Sequence, residues 1–135
     1  MPYYAQYANI ENQHWDSRDT LLFELHDADT TVLQHLSLGV RAIDAYKYRK
    51  LNLGIDVYDN GKKCSSNVIA YELFSERGIR KGDGVVYSEN EKYVRSLNIV
   101  KGHTYRFKVY HLMRLDPIDG ISNVYIQISD KPADE

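Results

Sequence analysis

An antiparallel two-sheet β-sandwich of about seven or eight strands, jelly-roll-like and all-β, is what the sequence predicts. Short runs alternate apolar and polar side chains, turn-forming residues recur at intervals of roughly ten residues, and almost nothing repeats at helical spacing. The segment Ser88 to Val94 is the one place where a helical turn is expected.

The chain divides into an N-terminal lead-in over residues 1–19, a sandwich over 20–129 and a polar tail over 130–135. The lead-in has no sustained period, and its Trp15 is large enough to anchor it against the edge of the domain. Thr20 to His26 places Leu21, Phe23 and Leu25 on one face, the signature of a half-buried strand. Val32 to Ile43 puts Val32, Leu36, Leu38, Val40 and Ala42 on one side and His35, Ser37, Gly39 and Arg41 on the other. Only Gln34 interrupts its buried face. The run LNLGIDVY is the cleanest strand, with Leu51, Leu53, Ile55 and Val57 inward. Asn60-Gly61 then supplies two residues tolerant of positive φ, so the chain turns back in a tight hairpin into Asn67 to Phe74. Further strands are expected around Leu97 and Ile99, over Tyr105 to Met113 beyond the Lys101-Gly102 turn, and over Val124 to Ser129.

With 135 residues the chain is long enough to bury roughly two thirds of its unfolded surface in a single core. Its 17 basic and 19 acidic residues are interspersed, leaving a net charge of −2 and no basic field to attract nucleic acid. No run approaches the ~20 apolar residues of a helical membrane span. The lone cysteine, Cys64, lacks the surroundings of a nucleophile and reads as a free structural thiol.

Nothing in the sequence nominates a cofactor, a metal or a catalytic set. The five histidines form no H-x-H or H-x-x-x-H cluster with a carboxylate. The pairs Asp56/Asp59 and Asp116/Asp119 sit in turns, where Asp bonds nearby backbone. The glycines of GIRKGDG, Gly78, Gly82 and Gly84, are ordered-turn residues, since the order of a phosphate-binding loop is absent. Twelve tyrosines on a sandwich admit a glycan platform, because a tyrosine ring joins an apolar face to a polar tip, although tyrosine is also simply a good strand former.

An ordered succession of short motifs spans nearly the whole chain. It runs through Trp15-Asp16-x-x-Asp19, Leu38-Gly39-Val40-Arg41, Tyr46-x-Tyr48, Tyr71-Glu72-Leu73, Gly78-x-x-x-Gly82-x-Gly84, Tyr87, Met113-Arg114 and Gly120-Ile121. This succession resembles the GldH-type gliding-motility lipoproteins of Bacteroidetes. The resemblance implies a signal peptide and a lipidated cysteine upstream of Pro2, and a domain tethered to the outer membrane on its periplasmic face. It also implies a non-enzymatic role in surface motility or related envelope machinery, with other envelope or motility proteins as partners.

Function on a sandwich sits on loops more often than on packed faces. The expected interaction surface is therefore the Gly78 to Gly84 loop, with Ile79 and Arg80, together with the Met113 to Gly120 loop, with Arg114, Leu115 and Ile118. Arg41 or Arg114 is expected to be held by a carboxylate, Asp19 and Glu72 being the first candidates.

Overall fold

A computed structural model of the chain describes residues 3–73, 79–80 and 86–133. The described strands are β1 (Tyr4–Asn9), β2 (His14–Trp15), β3 (Leu21–Leu25), β4 (Val32–Ile43), β5 (Lys50–Asp59), β6 (Lys62–Glu72), β7 (Ile79–Arg80), β8 (Val86–Ile99), β9 (Tyr105–His111), β10 (Ile118–Asp119) and β11 (Ile121–Ser129). They form a five-stranded sheet in the order β1-β11-β4-β8-β7, a four-stranded sheet in the order β3-β9-β5-β6, and a short β10-β2 ladder. Every described pairing is antiparallel. The chain crosses repeatedly from one sheet to the other, and the result is the predicted jelly-roll-like sandwich.

Its core forms where the alternation is strongest. Leu36, Leu38, Val40 and Ala42 of β4 point inward, as do Leu51, Leu53, Ile55 and Val57 of β5, and all eight are fully buried. Phe23, Phe107, Val109, Val124, Ile126 and Ile128 complete the interior. Gln34, the polar residue on the inner face of β4, is buried with its Oε1 unpartnered among the described residues.

Asn60 at φ 48° and Gly61 at φ 84° make the expected tight turn between β5 and β6. The return strand begins at Lys62 rather than Asn67. A bulge at Cys64 sets Val57 opposite Ser65 but Tyr58 opposite Lys63, which hides the strand's period. Phe74 lies outside the described residues.

Two other expectations need correction. Ser88 to Val94 is not a helical turn but part of β8, paired with β4 along its length. Val94 is the extra residue of a bulge: Ser37 faces Tyr93 while Leu36 faces Arg95. The odd-numbered residues point outward before the bulge and inward after it, so no single period spans the strand. Second, the N-terminal segment is built into the fold. β1 extends the five-stranded sheet beside β11, and Trp15 in β2 is 1% exposed. The sequence YAQYAN shows no apolar alternation because an edge strand has few core positions to fill.

The turn itself is open to test. Nothing lies within 4 Å of a Cβ built on Gly61, so any cost of substitution there comes from backbone strain. Gly61→Val should lower stability by about 1–3 kcal/mol, read as a lower urea midpoint, because it forces a β-branched residue into positive φ. An unchanged midpoint would place the tight turn elsewhere.

Candidate functional site

Most of the residues singled out in the sequence meet at one end of the sandwich, held there by a few specific contacts. Trp15 stands opposite Ile118 in the β2-β10 ladder, and its indole donates to the Asp19 carbonyl at 2.8 Å. The edge of the Trp15 ring meets His111 at a centroid distance of 5.3 Å. His111 is itself buried; its Nδ1 accepts from the Met113 backbone N–H at 3.3 Å, which leaves Nε2 to donate to Asp116 at 3.2 Å. Asp116 also accepts from the Ser17 hydroxyl and the Ser17 backbone N–H, at 2.5 and 2.7 Å. The lead-in and the loop after β9 are thus tied together.

Gly120 has φ +105°, and a Cβ there would fall 2.3 Å from the backbone nitrogen of Tyr46, so no side chain fits at this crossing. Tyr46 is buried, donates to the Lys50 carbonyl at 2.6 Å, and meets Tyr48 edge-on at 5.7 Å. Burial first, and the neighbouring Tyr48 second, push its hydroxyl pKa up to about 12.

Above this frame lies an open cleft of about 450 Å³, lined by Tyr48, Asn52, Leu112, Met113, Arg114 and Leu115. Met113 is half-buried, and its Sδ accepts from the Asn52 backbone N–H at 3.4 Å. Tyr48, Leu112 and Leu115 are 40%, 45% and 59% exposed. Arg114 makes no ion pair among the described residues. Ile118, expected on this surface, is 2% exposed and closes the end of the core instead. Its place in the ladder opposite Trp15 turns it inward.

Arg41 lies on β4, on the outer face of the five-stranded sheet. Its partner is Glu89, not Asp19 or Glu72, because the β4-β8 register sets Arg41 directly opposite Glu89. Nε and Nη2 both donate to the single oxygen Oε1, and the guanidinium lies 5.1 Å from the Tyr87 ring centroid. Ile79 and Arg80 pair with Tyr87 and Val86 in the β7-β8 ladder. Gly78, Gly82 and Gly84 lie outside the described residues.

Leu112 was not expected in the site, since it reads as one more position of the Tyr105 to Met113 strand. The signal was available: Leu112 and Met113 are adjacent apolar residues, and a strand can turn only one of them to the core.

The polar groups do not assemble a nucleophile. Ser17 donates to the Asp116 carboxylate and not to the His111 ring, so the imidazole is not placed to take its proton. Among the described residues no group of three or more His, Cys, Asp or Glu side chains could hold a metal ion.

A family model described as GldH lipoprotein matches residues 2–128. The chain belongs to the GldH lipoprotein family. The match covers both sheets and the end of the sandwich just described. No curated protein matches the chain. Among solved structures, the chain is similar to a CBM35 from Cellvibrio japonicus Abf62, at 12% identity and a TM-score of 0.43, over 89% of this chain and 70% of that one. It is also similar to a Podospora anserina GH26-CBM35 β-(1,4)-mannanase, at 14% identity and a TM-score of 0.44, over 87% of this chain and 20% of that one. A third similarity is to the CBM36-1 domain of a multidomain xylanase from the hindgut metagenome of Trinervitermes trinervoides, at 12% identity and a TM-score of 0.41, over 90% and 84%. Likeness at this level carries no information about a ligand.

Two measurements probe this frame. The Ser17 hydroxyl holds the Asp116 carboxyl below the usual carboxylate range. A depressed folded-state pKa stabilises the fold above the unfolded value of about 3.9, and that stability is lost as pH falls through the lower folded value. Urea midpoints between about pH 2.5 and 5 should therefore fall less steeply for Asp116→Asn than for wild type, and parallel profiles would remove Asp116 from the acid response. For the ion pair, a double-mutant cycle on Arg41→Ala and Glu89→Gln should give a coupling of about 0.2–1 kcal/mol, the range of partly exposed pairs. Zero coupling would make Arg41 an independent surface charge.

Proposed function

We propose that this protein is a lipid-anchored envelope domain that works by holding another envelope protein at the end of the sandwich bearing Tyr48, Leu112, Arg114 and Leu115. Membership of a lipoprotein family supports the anchor. Attachment to the outer membrane facing the periplasm, and service in gliding motility or related cell-surface machinery of a member of the Bacteroidetes, are the setting in which the reading places it. The domain acts by binding and not by turnover.

The observation that carries the docking surface is the cleft itself. Three exposed apolar side chains, Tyr48, Leu112 and Leu115, line it together with Arg114 and Met113. Their exposure is unfavourable in isolation, and interface cores favour this mixture of aromatic, aliphatic, Met and Arg side chains. Arg114 supplies the one charged side chain that lines the cleft, and the exposed Lys47, Arg49 and Lys50 flank Tyr48 in the chain. The partner that suits it is an acidic protein segment carrying apolar anchors, drawn in by charge and held by the Leu112 and Leu115 side chains.

The variant to test this is Arg114→Glu/Leu115→Asp, both positions being exposed and outside the core. Ile118→Asp would be uninformative because it places a charge in the interior. Wild type should capture an envelope protein from detergent-solubilised membranes in a yield that falls with added salt, and a synthetic acidic, apolar segment of that protein should bind wild type. The double variant, its fold checked by near-UV circular dichroism, should bind neither. Equal yields from the two proteins would remove this end of the sandwich as the docking surface.

A further inference from the structure

The outer face of the five-stranded sheet carries a stack that the core does not need. Tyr125 lies flat on Gly39: a Cβ built there would fall 2.0 Å from the tyrosine Cζ, so the ring fills the place of the missing side chain. The Tyr125 hydroxyl donates to Glu91 Oε1 at 3.0 Å, and Ser37 Oγ donates to Glu91 Oε2 at 2.8 Å, so the buried ring is held at its tip. Tyr7 stacks on it with centroids 4.7 Å apart and planes 26° apart. Its own outward face is open, for Tyr7 is 55% exposed and outside the core cluster.

Polar groups flank this ring at register positions on the same face. Asn9 stands opposite Asn123, and Ala5 opposite Gln127, one pair to either side of Tyr7 and Tyr125. Asn123 Nδ2 donates to Asn9 Oδ1 at 3.2 Å, which orients the Asn9 amide and leaves its nitrogen without a partner among the described residues. Ala5, exposed and small, leaves room beside the ring along β1. Among the described residues, the charged groups on this face near the stack are Glu91, engaged by two hydroxyls, and Arg41, paired with Glu89.

We infer that Tyr7, with Asn9, Asn123 and Gln127, is a binding platform for a neutral oligosaccharide of β-1,4-linked pyranoses. The chemistry is specific. A pyranose with equatorial substituents presents a flat face of axial C–H groups that packs on an aromatic ring, and its equatorial hydroxyls then lie in the ring plane, where side-chain amides both donate and accept. An exposed aromatic on an open sheet takes an extended chain rather than a single enclosed sugar. The carboxylate of Glu91, held by hydroxyls and not by a cation among the described residues, disfavours anionic sugars on this face. Because the stack is already ordered in the free protein, little side-chain entropy is lost on binding. This platform is separate from the cleft at Arg114, and neither proposal depends on the other.

Two neutral tetrasaccharides, cellotetraose and tetra-N-acetylchitotetraose, are the probes, with tetragalacturonate as the anionic control. The amino-sugar arm stands for cell-wall glycan and the glucose arm for exported polysaccharide. In calorimetry with the wild-type chain, at least one neutral probe should bind saturably, and tetragalacturonate should bind at least roughly tenfold more weakly. Tyr7→Ala should weaken binding roughly tenfold, in line with the loss of one stacked aromatic contact, while Tyr7→Trp should retain it. Tyr7 is outside the core cluster, so both variants should still unfold in one cooperative urea transition and keep the wild-type near-UV circular dichroism. No saturable binding of either neutral probe to wild type would overturn the proposal, as would unchanged affinity in a folded Tyr7→Ala. Equal affinity for tetragalacturonate would overturn the assignment to neutral glycans.

Discussion

The packing of β4 against β5 is the constraint on which the other features depend. Each strand turns four fully buried aliphatic side chains inward, one set per sheet, and burying each Leu, Ile or Val among them contributes about 1.5–3 kcal/mol before chain entropy is set against it. Both strands are central in their sheets, so β11 and β8 take their register from β4 while β9 and β6 take theirs from β5. The two sheets are also pinned in polar terms: the buried Tyr71 hydroxyl, on β6, donates to the Leu38 carbonyl of β4 at 2.6 Å. Burial raises the pKa of that hydroxyl, which keeps it a donor throughout the neutral range.

A core built this way decides where irregular backbone can go. The short connections run through tight turns at Asn60-Gly61 and at Gly102, and the longer irregular stretches gather at the opposite end. There the lead-in is not left free. Trp15 fills space below His111 while Ser17 and His111 share the Asp116 carboxylate, and the close crossing of Gly120 over Tyr46 fixes the loop on its far side. The exposed Leu112 and Leu115 are therefore presented by a loop braced at both ends. A braced apolar loop loses less conformational entropy on binding than a free one, and this connects the packing to the proposed docking role.

Much of this was legible in the sequence, for reasons that particular residues make plain. β4 and β5 were readable because a strand with one face in the core must alternate, and the Asn60-Gly61 turn because few residue pairs tolerate two positive φ angles. Only the end of β8, around Leu97 and Ile99, was readable, since the bulge at Val94 reverses which residues point inward and the polar half is held through Glu89 and Glu91 by Arg41 and Ser37 of β4. β1 was hidden for a different reason: its hydrogen bonds go to β11, and backbone pairing leaves no trace in side-chain pattern. At the candidate site, Trp15 could be read as an anchor because of its size, and Arg114 and Leu115 as loop residues. The inward turn of Ile118 could not, because it depends on a two-residue ladder that sequence spacing does not encode.

The same local device occurs on both outer faces, and the comparison separates structure from function. On the four-stranded sheet Tyr110 covers Gly54, where a Cβ would lie 2.3 Å from the ring, and its hydroxyl donates to Asp56, which also accepts from Ser66 at 2.6 Å. On the five-stranded sheet Tyr125 covers Gly39, with Glu91 and Ser37 in the corresponding places. A ring over a glycine, tied at its hydroxyl to a carboxylate, thus serves each sheet as a way to cover bare backbone in a central strand. That role accounts for Tyr110 and Tyr125 without any ligand. It does not account for Tyr7, which covers no glycine, lies outside the core and rests on a ring that is already satisfied. On the four-stranded sheet no described ring stacks on Tyr110. Between the two ring-over-glycine units the difference is that one added side chain, and an apolar ring held flat toward solvent at a fixed tilt is the part of the unit that covering the glycine leaves unexplained.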